Sequence, residues 1–313
     1  MAVRGMPIAQ VIAVVFVSFA LVRSEAQIRY SSGQNVVPVY EGWEPNPDGS
    51  FNMVFGYMNR NYEEQVDVPI GPENMIEPGG PDQGQPAHFY PRRQEFIFKV
   101  KVPKDWGEKD LVWTLQSHGK VEKAYGSLMP VWELSTLVYL ENRRGAGALT
   151  FPEEPNKAPS IEMTGSAQRT AIVGEPITLS VDVSDDGYPV PFRRRARSTA
   201  SSREGKRDPS MNAFRAQTPA GQAVVKLDPG VRLGVTWVLY RGDTGDVTFD
   251  PMRVPVVSAD TASAPNPSLL TGRATTKVMF SEPGTYRLRA YADDSVLTTV
   301  LDVTVTVQAA SGH

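Results

Sequence analysis

From Gln27 onward the chain is written in short runs where apolar and polar residues alternate. Phe96, Phe98, Val100 and Val102 alternate with Ile97, Lys99 and Lys101, and Leu111, Trp113 and Leu115 with Val112 and Thr114. Phe51, Val54, Phe55 and Tyr57 share another run. Period-two alternation over five to eight residues predicts half-buried strands. The runs are separated by turn chemistry: Pro45-Asn46-Pro47-Asp48-Gly49, Gly71-Pro72, Pro78-Gly79-Gly80-Pro81-Asp82 and Trp106-Gly107. Each separator fixes or frees φ where a turn needs it. Helical periodicity is nearly absent after the N-terminal segment, so the pattern predicts an all-β protein.

The later half repeats the pattern. Ile177, Leu179, Val181 and Val183 form one alternating set, Val235, Trp237 and Leu239 a second, and Leu301, Val303, Val305 and Val307 a last. Between the halves, Phe151 to Pro159 holds three prolines in nine residues and has little to bury. It predicts an extended linker, 151–159, between a β-sandwich domain at 27–150 and a second at 160–313. Spacing in the second domain fits an immunoglobulin-like sandwich, with Trp237 as the core tryptophan of the third strand and Pro283-Gly284-Thr285-Tyr286 opening a strand that holds a tyrosine corner.

Both halves carry a resemblance. Val183-Ser184-Asp185-Asp186-Gly187, the run Ser281 to Ala290 and Ala292-Asp293-Asp294 resemble PKD and cadherin-like modules of bacterial extracellular proteins. In the first half the words are Phe55-Gly56-Tyr57-Met58-Asn59, the run Val68 to Asn74, Asp82-Gln83-Gly84-Gln85-Pro86, Phe89-Tyr90-Pro91-Arg92-Arg93 and the run Leu111 to Leu115. They resemble a β-sandwich module of bacterial secreted and surface proteins with no assigned activity, in which Pro-Gly-Arg is usual where Pro91-Arg92-Arg93 stands here. The resemblances imply two tandem sandwiches and specify function poorly. Gln83 and Gln85 are expected to pin their loop through their amides.

Composition narrows this picture. The 313 residues include 26 Gly and 26 Pro, about 17% together against an average near 12%, which reads as strand punctuation. With no cysteine the chain has no disulfide, thiolate metal site or cysteine nucleophile. Arg4, the apolar run from Val11 to Val22 broken only by Ser18, and Ser24-Glu25-Ala26 before Gln27 are the parts of a secretory signal peptide at 1–26. The run falls short of the roughly 20 residues of a membrane span, an uncleaved anchor being the alternative. The expected location is the periplasm or the extracellular space.

A net charge of −3 argues against a dedicated nucleic-acid binder. Yet 192–217 carries Arg193, Arg194, Arg195, Arg197, Arg203, Lys206, Arg207 and Arg215 against Glu204 and Asp208, a local +6 that leaves −9 elsewhere. It lies in an insertion, 188–229, far longer than a sandwich module needs. Low apolar content with excess charge predicts disorder, and the functional reading is an anion-binding arm.

Candidate chemistry is sparse. No Gly-x-Ser-x-Gly elbow, phosphate loop or dinucleotide fingerprint occurs. His88 and His118 are too few for zinc without cysteine. Glu63, Glu64 and Asp67 are clustered acids of the kind that cleave glycosides, but strand alternation would set Glu63 and Glu64 on opposite faces. Asp185, Asp186, Asp293 and Asp294 fall in loops expected at one sandwich end, where hard oxygens suit calcium, the one cofactor the pattern suggests. Tyr40, Trp43, Trp106 and Trp132 flank turns, and the tryptophans are candidate partner contacts. The pattern therefore points to a non-catalytic exported protein that binds or organises an extracytoplasmic protein or glycan. The alternatives are a carbohydrate-directed enzyme and an accessory subunit whose basic arm folds on a partner.

Overall fold

The computed structural model describes residues 30–142, 149–150, 156–188, 190–191, 231–242, 245–258 and 269–310. The segment 1–26 expected to be a signal peptide, most of the expected linker and the expected basic arm lie outside the described residues.

The first unit contains β1 (Val36–Pro45), β2 (Phe51–Asn59), β3 (Val66–Asp67), β4 (Asn74–Glu77), β5 (His88–Phe89), β6 (Arg92–Val102), β7 (Leu111–Ser117) and β8 (Lys120–Gly126), followed by a 3-10 turn at Pro130–Trp132 and the short helix α1 (Thr136–Asn142). Sheet β1-β2-β6 faces sheet β4-β7-β8, with the small ladder β3-β5 beside them. Most inward residues predicted by alternation make the core, except that Phe96, at φ 53° beside a register irregularity of β6, turns into a separate cluster and Ile97 takes its place in the core. Phe55 stacks on Phe98 at 5.5 Å, and Trp113 meets Phe98 edge-on at 5.0 Å. Gly56 is required on β2, because a Cβ there would run into the Glu41 carboxylate and the Gln94 carbonyl.

Arg92 adopts φ 66°. That is the left-handed region that glycine enters without steric cost. The arginine occupies the position where the resembled module carries glycine, and it is held there by a hydrogen bond to the Arg60 carbonyl at 3.0 Å and by stacking on Tyr62.

The short strands β9 (Leu149–Thr150) and β13 (Val190–Pro191) pair with each other. The second unit is built from β10 (Ser160–Met163), β11 (Gln168–Ile172), β12 (Ile177–Asp185), β14 (Val231–Arg241), β15 (Val247–Asp250), β16 (Arg253–Ser258), β17 (Leu270–Phe280), β18 (Gly284–Asp293) and β19 (Thr298–Gln308). Sheet β10-β12-β17-β15 opposes β11-β19-β18-β14-β16, with β11 parallel to β19. This is an immunoglobulin-like sandwich. Trp237 is fully buried in its core, and the Tyr286 hydroxyl donates to the Glu282 carbonyl at 2.9 Å, forming the tyrosine corner that Pro283-Gly284-Thr285-Tyr286 implied. The chain is all-β, with two tandem sandwiches.

Candidate functional site

The four aspartates at the sandwich end have separate partners. Asp293 is buried and grips the Arg253 guanidinium through both oxygens, at 2.7 and 3.1 Å. Asp294 accepts the N–H groups of Val296 and Leu297, each at 2.7 Å, and the Asn156 amide at 2.8 Å. Asp185 accepts the Gly187 N–H, and Asp186 those of Lys157 and Tyr188. Among the described residues no three His, Asp or Glu side chains are gathered as a metal site. Burial, with the nearby charge of Asp185, pushes Asp294 up to about 7.

The candidate aromatics divide. Trp43 and Trp106 are core residues rather than open contacts. Each indole N–H finds a backbone carbonyl, Met129 at 2.9 Å and Lys109 at 2.7 Å, so burial leaves no polar atom bare. Trp132 stays 46% exposed, its ring tilted over Tyr40 at 5.8 Å.

The histidines and acids of the first unit are tied to each other. His88 is buried between Asp67 and Gln65, each at 2.7 Å, and His118 lies 3.2 Å from Glu64. An open groove of about 230 Å³ runs past Asp67, Glu73, Gln116 and His118. That is smaller than the roughly 300–1,000 Å³ of small-molecule sites. Gln83 and Gln85 do pin their loop: Gln83 donates to the carbonyls of Ile76, Pro78 and Gly80, and Gln85 to those of Asn74 and Pro81.

That pinned loop leads to an interface that the alternation pattern does not announce. Tyr90 of the first unit belongs to the core cluster of the second, and Tyr240 of the second to that of the first. The Tyr90 hydroxyl accepts the Leu239 N–H at 2.9 Å, and the Tyr240 hydroxyl donates to the Gly84 carbonyl. Ala87 and Tyr240 join backbone to backbone at 3.0 Å. Arg241 takes both Asp82 oxygens, at 2.9 and 2.8 Å, and the Gln85 carbonyl. This fork holds Asp82 down at about 2. Arg289 lies 3.5 Å over the Tyr240 ring and pairs with Asp302. Burial raises the hydroxyls of Tyr57, Tyr90 and Tyr240 and takes Tyr291 to about 12, so all four stay neutral donors and acceptors. A void of about 20 Å³ is left between them.

Among the described residues of the first unit, the exposed large apolar side chains other than Tyr30 fall in one stretch. Val121 and Tyr125 point outward from β8, and Met129, Val131, Trp132 and Leu137 follow, Val131 being 79% exposed. The backbone explains the order. The 129–134 segment lies along β1, the Leu134 N–H donating to the Trp43 carbonyl at 2.8 Å. This sends Leu134 inward and leaves Val131 and Trp132 outside.

No protein-family model and no curated protein matches the chain. Among solved structures it is similar to the D00-D0 domain of intimin, at 10% identity over 87% of this chain and 100% of that one, with a TM-score of 0.23. It is also similar to fibronectin(III)-like modules of CbhA from Clostridium thermocellum, at 10% identity over 92% of this chain and 96% of that one, with a TM-score of 0.21. A protein of unknown function from Porphyromonas gingivalis shares 9% identity over 87% of this chain and 98% of its own, also with a TM-score of 0.21. At such TM-scores the assignment of the fold rests on the strand pairing above. Among the described residues no helix is long and apolar enough to cross a membrane.

Proposed function

We propose that the chain is a non-catalytic, exported binding scaffold whose partner is a protein seated on the stretch from Val121 to Leu137. The observation that carries this reading is the exposure of Met129, Val131, Trp132 and Leu137 beside Val121 and Tyr125, in a unit whose other large apolar side chains are mostly buried. Contiguous exposed apolar surface marks association, and Met, Trp and Tyr are enriched where proteins meet. The interlocked sandwiches support the reading, since a rigid support lowers the ordering cost of binding. The signal-peptide pattern of 1–26 supports the export part of this reading.

The test compares capture by the mature protein with capture by Val131→Glu and Trp132→Ser, using envelope extract from the source cell. Val131→Glu, at a 79% exposed position, is expected to leave the melting temperature within about 2 °C, whereas Trp132→Ser, which gives up the Tyr40 ring contact, is expected to lower it by a few degrees while the protein stays folded. A saturable partner held by the wild type and lost at least tenfold by both variants supports the surface. Equal capture by all three proteins removes it. Deleting 192–217 in parallel asks separately whether the basic arm adds an anion contact: if it does, the deletion weakens capture most at low salt.

A further inference from the structure

The segment after β8 has two faces. Val131, Trp132 and Leu137 point to solvent, while Leu134 and Tyr139 are buried and Val138 is half-buried. The start of the segment is tied to β1. The Trp43 indole donates to the Met129 carbonyl, the Leu134 N–H donates to the Trp43 carbonyl at 2.8 Å, and a Cβ on Gly42 would run into the Trp132 carbonyl and the Leu134 side chain. The end of the segment is α1, seven residues long. A helix that short is unstable alone and takes its order from what its buried face meets.

That buried face meets both sandwiches. The Tyr139 ring lies on Phe96 of β6 at 4.6 Å, its hydroxyl donates to Glu44 of β1 at 3.0 Å, and Val54 of β2 completes the floor. The remaining wall comes from the second unit. Val296, in the turn between β18 and β19, is 1% exposed and clusters with Val54, Phe96, Leu134 and Tyr139. Leu297 and Val138 pack against the same cluster. The turn is held in shape by its own backbone, since Asp294 Oδ1 accepts the N–H groups of Val296 and Leu297, each at 2.7 Å. Leu134 and Tyr139 thus rest on a floor laid by the first sandwich and against a wall laid by the second.

We propose that the second sandwich sets the partner surface of the first from beneath, with Val296 as the positioning residue. The inference rests on the reading of Val121 to Leu137 as that surface. The turn holds Leu134 and Tyr139 down and so fixes the backbone that presents Trp132 and Leu137 outward. Withdrawing the turn takes one wall from an apolar cluster, and α1 loses burial that orders it. The coupling runs both ways. A partner that seats on the ordered segment favours the closed junction by the same factor by which closure favours the partner.

Native-state hydrogen exchange in low urea, on the chain from Gln27 onward, reads this coupling. The Leu134 amide donates to Trp43, that of Tyr139 to Ser135, and those of Val296 and Leu297 to Asp294, so all four are protected until the cluster opens. They are expected to open as one unit, with a single opening free energy and urea slope, at lower cost than the Trp113 and Leu115 amides of β7. Val296→Ala is expected to speed exchange at Leu134 and Tyr139 about tenfold and to leave β7 unchanged. It is also expected to weaken capture from envelope extract by about threefold or more, although Val296 is buried. Wild-type exchange at Leu134 and Tyr139 in Val296→Ala overturns the proposal. If that variant does not fold, wild-type amides of Leu134 and Tyr139 that open independently of Val296 and Leu297 overturn it. Capture lost by Val131→Glu and Trp132→Ser, with exchange and capture unchanged in Val296→Ala, leaves the partner surface standing and removes its control by the turn. Capture unchanged in the first two variants removes the partner surface, and the exchange rates still decide whether the turn orders the segment.

Discussion

Asp293 and Asp294 are chain neighbours in opposite circumstances. Asp293 shares its buried site with the Arg253 guanidinium, and Asp294 has only neutral donors. Removing one partner of a buried pair leaves the other uncompensated, which is the costly case. Asp293→Asn is therefore expected to destabilise the protein by about 3 kcal/mol. The check is the midpoint of urea unfolding at pH 7.5; a midpoint unchanged from wild type would show that water serves Arg253 instead. Tyr286→Phe should cost less, about 1 kcal/mol, because it deletes one hydrogen bond and leaves the ring packed against Phe280. The two residues also differ in how far the sequence reveals them. The tyrosine corner is legible because its donor, its turn and its strand lie within six residues. The partner of Asp293 is 40 residues away in the chain, so four aspartates look alike until the fold sorts them. Trp43 and Trp106 sit beside turns in sequence, and only the reach of their N–H groups to nearby carbonyls shows that they can be buried.

At the level of the strand, alternation identifies the sandwiches because one face of most strands meets a core and the other meets water. It is least informative on β14. Leu233, Val235, Trp237 and Leu239 face their own core, yet Thr236, Val238 and Tyr240 are buried as well. The signal was present: Val238 and Tyr240 are not polar, and a strand apolar on both faces is covered on both faces. What covers it is distant in sequence and could not be read from a local pattern. The same crowding acts on β2 at Gly56, where Glu41 and its partner Arg93 cross over the backbone. Burial raises Glu41, and Arg93 offsets part of that cost. Gly56→Ala forces this pair and the Gln94 carbonyl aside, an overpacking expected to cost about 2–3 kcal/mol. A melting temperature within 2 °C of wild type, on the scale where 1 kcal/mol moves a domain of this size by about 2–4 °C, would contradict that reading.

At the scale of the whole molecule, the reciprocal placement of Tyr90 and Tyr240 decides how the two sandwiches behave. Domains joined only by a linker move independently, and their interfaces are modest and polar. Here each unit lends a tyrosine to the other's core, the Arg241–Asp82 fork closes one side, and Val296 plugs another. Opening this interface would expose Tyr240, whose ring also carries the Arg289 guanidinium, and would strand backbone partners at Ala87 and Leu239. The chain from Gln27 onward is therefore expected to unfold in one calorimetric transition at pH 7.5, with van't Hoff and calorimetric enthalpies equal, although chains of two domains commonly depart from two-state behaviour. Tyr240→Ala removes about 3–5 kcal/mol of packing, mostly from the junction, and is expected to raise the ratio of calorimetric to van't Hoff enthalpy above one as the units separate. A wild type that already melts in two steps would mean that the shared tyrosines do not couple the sandwiches. A Tyr240→Ala ratio that stays at one would place the coupling in the Arg241–Asp82 fork instead.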